Sequence, residues 1–200
     1  MQQVSPDLDR GDWLSPYVSE IDLRRGRVLE LGSGHGEDAG ILVAGGANLV
    51  ASDRQAERAR EVARRAPSAN VIRMSHAHRL PFQDGSFAAV VASLALHYMD
   101  WETTLSAFAE VRRVLLPDGD FLFRVNASDD FEFGAGRGRE LEPGFFKVSG
   151  RPHDAKRFFD KGMVQDCLTD GFQVVSLRPR TLSFGGRNKR TWECFAKANG

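Results

Sequence analysis

Residues 27–36, RVLELGSGHG, carry an apolar strand with one acid straight into three glycines at alternate positions, Gly32, Gly34 and Gly36. A strand that is apolar at successive positions needs cover on both faces, which places it inside a parallel sheet. Glycines directly after it allow a tight turn and a close approach of another group to the backbone. A helical pattern follows over 36–46 and stops at paired glycines. The alternation then repeats. NLVASD (48–53) reads as a second strand closed by Asp53, and RQAERAREVARRA (54–66) as a helix with a narrow stripe of Ala56, Ala59, Val62 and Ala63. NVIRMS (70–75) and SFAAVVASLAL (86–96) are further strands, WETTLSAFAEVRRVLLPDG (101–119) is an amphipathic helix, and DFLFRVNAS (120–128) is a fifth strand. The expected fold is α/β, a doubly wound, Rossmann-like, mostly parallel seven-stranded sheet with helices on both faces.

Beyond residue 128 the alternation lapses. Residues 129–157 are rich in glycine and charge, and a segment of that length inside a compact domain is expected to be a long loop, such as a lid. A helix is expected around 156–171, then strands at 172–179 and 190–198, joined through SFGGRNK and paired antiparallel. The 200 residues are enough for one core, so the expectation is a single domain over 1–200. Its parts would be a helical N-terminal extension (1–26), a core bearing the glycine loop (27–128), the loop (129–157), and a closing helix and strand pair (158–200).

Charge limits the partners. Lys plus Arg and Asp plus Glu both count 27, so no global field draws the chain to nucleic acid or to an anionic membrane. No apolar run reaches the roughly 18 residues of a membrane span, and MQQVSPDLDRGDW lacks a secretory pattern. Cys167 and Cys194 have no C-x-x-C spacing. A cytoplasmic protein with reduced cysteines is expected, with its oligomeric state open.

Three ligands suit a glycine loop after a strand: a dinucleotide, a nucleoside triphosphate, or one without phosphate. G-x-x-x-x-G-K-[ST] is missing, which removes the triphosphate. The spacing G-x-G-x-G differs from the dinucleotide G-x-G-x-x-G. Asp53 follows Gly32 at the end of the next strand, where open α/β sheets bind ligands, and its carboxylate suits the two hydroxyls of an adenosine ribose. Capping the following helix is the other use open to it.

ELGSGHG, then ASD, then HAHRLPFQDGSFAAVVASLALHYM, then VRRVLLPDGDFLFRV, together resemble the class I S-adenosylmethionine (SAM)-dependent methyltransferases over roughly residues 27 to 126. The tail more loosely resembles small stand-alone bacterial methyltransferases, some related to tellurite-resistance enzymes. The resemblance implies SAM as cofactor, with 27–128 as its binding core. It implies that Glu30 and the Gly32, Ser33, Gly34 and Gly36 loop face the amino-acid end of SAM, that Asp53 holds the ribose, and that Arg54 borders the adenine. His76 stands where the family usually carries an acid at the adenine, so recognition there would use His76 or the Ala77 backbone. Ser93 to His97 would line the methyl-donor pocket. Ala88 replaces the usual acid of an S-F-D triplet, a change expected to matter for packing.

The acceptor is expected to be a small molecule, because no Asn-Pro-Pro-Tyr-type tetrapeptide follows the fourth strand. His97 is the leading catalytic candidate, followed by Asn126, and one of Arg124 and Asn126 is expected to reach the cleft. Arg137, Arg139 and Glu140 are loop candidates for closing over substrate, each weighed against a solvated loop. His76-Ala77-His78 lacks a third ligand at metal spacing, so no metal site is expected. Arg178, Arg180, Arg187, Lys189 and Arg190 read as a solvated hairpin rather than an anion site. The alternatives to an active methyltransferase are a SAM-binding protein without turnover, acting as sensor or partner, and an NAD-dependent oxidoreductase.

Overall fold

A computed structural model describes residues 12–23, 25–147, 155–184 and 186–200. The elements are α1 (Ser15–Val18), β1 (Arg27–Leu31), α2 (Glu37–Ala44), β2 (Asn48–Asp53), α3 (Ala56–Arg65), β3 (Asn70–Arg73), β4 (Phe87–Ser93), α4 (Trp101–Val114) and β5 (Leu115–Asn126). A 3-10 turn at Phe131–Phe133 leads to β6 (Arg139–Glu142), β7 (Phe145–Lys147) and β8 (Ala155–Arg157), followed by α5 (Lys161–Asp166), β9 (Phe172–Phe184) and β10 (Arg187–Ala198).

The main sheet has seven strands in the order β3-β2-β1-β4-β5-β10-β9, and β1 to β5 are mutually parallel. The expected doubly wound sheet is therefore present, with β10 antiparallel to β5 and to β9. Period-two alternation builds both apolar layers. Leu29, Leu31, Phe121 and Phe123 pack on one face with Phe108 and Val111 of α4. Val28 and Leu122 pack on the other with Leu42 of α2, Val62 of α3 and Trp13, Leu14 and Tyr17. Of the expected N-terminal extension, residues 1–11 and Arg24 lie outside the described residues, and α1 is a single turn.

Among the boundaries that differ from the sequence reading, four have a clear local reason. Helix α4 ends at Val114, because Pro117 disfavours helical geometry at Leu116 and offers no N–H. Pro117-Asp118-Gly119 sits as an irregularity early in β5, with Asp118 at φ 56. The helix expected from 156 starts only at Lys161, where the Asp160 carboxylate caps it by accepting from Met163 N at 2.8 Å. Ahead of that cap, Phe158 and Phe159 are buried, and Phe159 N donates to the Asn126 carbonyl at 2.8 Å. The β9–β10 hairpin pairs from Phe184 and Arg187 onward, well into the segment read as a connection.

The largest difference concerns 129–157. Instead of an irregular loop it forms the 3-10 turn and a three-stranded antiparallel sheet, β6-β7-β8; residues 148–154 lie outside the described residues. Arg157 fixes this sheet to the body. Its buried guanidinium donates to the Glu142 carboxylate at 2.5 Å and the Pro143 carbonyl at 3.0 Å, between the rings of Trp101 and Phe145.

Candidate active site

A cavity of about 440 Å³ opens where the carboxyl ends of β1 to β5 converge. Between β1 and β4 the strand order reverses, and the following connections leave on opposite sides. The crevice at such a switch point is where open α/β sheets bind ligands. The cavity volume falls in the range of small-molecule sites, about 300–1,000 Å³.

At one end lies the glycine loop. Gly32 has φ +70, and a Cβ there would come within 2.6 Å of the Ala95 Cβ, so only glycine fits. Gly36 has φ +84 and packs against Val62 of α3, where a Cβ would stand 3.1 Å from Val62 Cα. Asp53 accepts from Gly34 N at 3.1 Å and from Gln55 N at 2.8 Å. It therefore ties the loop to the end of β2 and still has spare lone pairs facing the cavity. Helix α3 begins at Ala56 with Gln55 as its N-cap residue and no side-chain cap, so capping that helix is not what Asp53 does.

His76 lines the same end and its Nε2 lies 3.0 Å from the Ala95 carbonyl. A carbonyl only accepts, so Nε2 carries the proton and Nδ1 is left as an acceptor. Burial lowers the His76 pKa and keeps the ring neutral. Arg54, Ala77 and Ser93 also line the cavity. The Ser93 hydroxyl accepts from Arg124 Nε at 2.7 Å. Arg124 and Asn126 lie two apart on one strand and so share a face, contrary to the expectation of a choice between them by alternation. Asn126 lines the cavity, while Arg124 turns beneath Ser93 and stacks on Trp13.

Glu30 at the end of β1, and Ser33 and Gly36 in the loop, are buried and do not line the cavity wall. Glu30 is 2% exposed and its Oε2 meets no donor. Burial, with the like charge of Asp38 adding to it, pushes the Glu30 pKa up to about 8. The native state thus keeps a proton that the unfolded chain loses above its ordinary value of 4.5. Protons bound in excess by the native state make stability fall as pH rises, here from about 4.5 until about 8. The uncharged, isosteric Glu30→Gln should lack that part of the slope, a few kcal/mol at about 1.4 per pKa unit. Melting curves of the ligand-free proteins at about pH 5 and about pH 9 would check this, with wild type losing ground to the variant; parallel behaviour would refute it.

The opposite end was largely missed by sequence reasoning. His97 is there as expected, 2% exposed, with its ring against Tyr98 and Nδ1 without a partner among the described residues. Burial, reinforced by Lys189 and Lys156, holds its pKa well below the usual value, so the imidazole stays neutral. Lys189, read as part of a solvated hairpin, is instead buried on the cavity wall. It ion-pairs with the fully buried Asp130 and donates to Asn126 Oδ1 at 2.6 Å. Phe133 of the 3-10 turn and Lys156 of β8 complete the wall. Arg137, Arg139 and Glu140 are not among the residues that line it. The signal for Lys189 was its alternation with Thr191 and Glu193, both buried, and it is informative only once β10 is known to start at the cleft.

Residues 29–123 match the family model described as a methyltransferase domain. An uncharacterised methyltransferase of Mycobacterium tuberculosis is 34% identical over 137 residues, 66% of this chain and 52% of that protein. The chain thus spans about half the length of the curated relatives it matches first. A SAM-dependent methyltransferase of Methanosarcina mazei superposes with a TM-score of 0.79 at 19% identity, covering 92% of this chain and 97% of that one. A Burkholderia thailandensis 1,6-didemethyltoxoflavin-N1-methyltransferase, solved with that compound and S-adenosylhomocysteine (SAH), gives 0.69 at 19% identity over 94% and 78%.

Proposed function

We propose that this chain is a SAM-dependent methyltransferase and transfers a methyl group to a small-molecule acceptor held between His97, Phe133 and Lys189, a reading supported by the methyltransferase-domain match and by the cavity. The observation that carries this reading is the two-ended cavity. One end has a glycine turn with no space for a side chain and a carboxylate with spare acceptor positions; the other is walled by aromatic and nitrogen-bearing side chains.

The donor end fits SAM on its own chemistry. Asp53 has lone pairs for a pair of vicinal hydroxyls, His76 Nδ1 can accept from an exocyclic amino group, and Ser93 has a hydroxyl proton to donate. When bound, SAM supplies a methyl group already activated by a sulfonium, so the protein chiefly aligns the partners and excludes water. Leu94, at φ 52, holds the turn between Ser93 and His97 in a left-handed conformation that costs of order 1–3 kcal/mol, an observed strain beside the reacting region. His97 contributes a neutral hydrogen-bonding nitrogen; burial beside two lysines opposes its taking a proton. No described helix is long and apolar enough to cross a membrane.

SAH at about a hundred times its dissociation constant should stabilise the native state by about 2.7 kcal/mol, seen as a raised melting temperature. A response to a nicotinamide dinucleotide with none to SAH would overturn the reading. SAH released from SAM in the presence of a small-molecule extract separates an enzyme from a protein that only binds.

A further inference from the structure

The acceptor end holds more positive charge than its neighbours neutralise. Lys189 is 7% exposed, and an ammonium has three N–H donors. Two go to Asn126 Oδ1 and Asp130; among the described residues the third meets no oxygen acceptor, and the Phe133 ring lies 4.8 Å from Nζ. Lys156, on β8, also lines the cavity, and no described carboxylate lies within ion-pair distance of it. Lys156, Lys189 and His97 line the same cavity, and both ammonium charges oppose a proton on the His97 ring. Against them stands one carboxylate, Asp130, which is fully buried, is shared with Arg190 N at 3.0 Å, and is not on the wall. The acidic side chain that does line the cavity, Asp53, belongs to the donor end.

Resting on the methyltransferase reading, we infer that the acceptor is a small anion whose oxyanion group takes the third N–H of Lys189 and the ammonium of Lys156. A cationic acceptor would meet two like charges in a partly desolvated site. A neutral one could accept a single N–H bond through a carbonyl or hydroxyl oxygen, but it would leave the charge of the second ammonium uncompensated in a partly desolvated site. An oxyanion satisfies both lysines and makes charge-assisted bonds, roughly twice as strong as neutral ones. Phe133, whose ring lies 4.8 Å from Lys189 Nζ, and Tyr98 beside His97 give the rest of the acceptor apolar and aromatic walls. The His97 side chain, on the same wall, adds an imidazole ring to the lining.

The test uses benzoate, benzamide and benzylamine, matched in size and differing in charge, titrated at millimolar concentration into protein saturated with SAH. Benzoate alone should raise the melting temperature. Lys156→Met, at a half-buried position away from the core, should keep the SAH response and weaken benzoate by about tenfold. A neutral or cationic probe that matches benzoate would overturn the proposal, as would silence from all three probes or full benzoate binding in Lys156→Met. Loss of the SAH response in wild type would instead refute the parent reading, so the two failures are distinct. Lys189→Met is not needed, since leaving Asp130 buried and unpaired would confound folding with binding.

Discussion

Asp53→Ala should lower the affinity for SAH by at least about a hundredfold while the fold persists. A hydrogen bond to a charged group contributes about 1.5–3 kcal/mol, and a ribose diol would make two with this carboxylate. The same substitution frees Gly34 N and Gln55 N, but both lie at the rim of an open cavity where water can take the bonds. The melting temperature without ligand should therefore drop by only a few degrees. Calorimetric titration of SAH into wild type, Asp53→Ala and Asp53→Asn measures the binding, with the amide expected to fall between the other two. Unchanged affinity in the alanine variant would remove the ribose role and leave Asp53 as a tie between two turns.

Arg157→Met should destabilise the ligand-free protein by about 2–4 kcal/mol, through acceptors left without their charged donor and two lost ring contacts. For a chain of this size that is roughly ten degrees in melting temperature. The Glu142 partner is 37% exposed, so the ion pair itself is partly screened and is not the main contribution. More decisive is what Arg157 joins. Glu142 also accepts from Trp101 N at 2.9 Å, at the start of α4, and Arg157 Nε reaches the Met99 carbonyl at 3.4 Å. Removing the guanidinium should release β6 to β8 from the turn that carries His97. Limited proteolysis should then cut within 139–147 before the body of the protein is digested. An unaltered melting curve with an unaltered cleavage pattern would show that the small sheet is held by other contacts.

The legible parts of the fold were those with a local physical signature. Strand β4 showed as an unbroken apolar run, and β1 as an apolar run interrupted by Glu30, because both faces are covered, and α4 as a stripe of Phe108 and Val111. The parallel core and the cavity's position follow, because strands linked by crossovers point their carboxyl ends the same way. Gly32 and Asp53 were legible for the same reason, each sitting at a strand end with a residue type that its backbone or its neighbours require. The small sheet was not. β6 to β8 are three or four residues each, too short to show a period, and they meet the body through Arg157, a residue whose burial nothing in its own segment announces.

The same division runs through the site. The sequence by itself determined the cavity end proposed for the donor, since the glycine loop, Asp53 and the His76 and Ser93 turns each follow a strand whose place in the sheet is implied by the alternation. The tertiary structure decided the end proposed for the acceptor. Lys189 lies 63 residues from Asn126 and 59 from Asp130, and it reaches both only because β10 runs antiparallel to β5. That direction pairs Thr191 with Asn126 and carries Lys189 past the end of β5, over the cleft. A lysine in a hairpin is ordinarily solvated; here the strand direction buries it, and an adjacent carboxylate makes the burial tolerable.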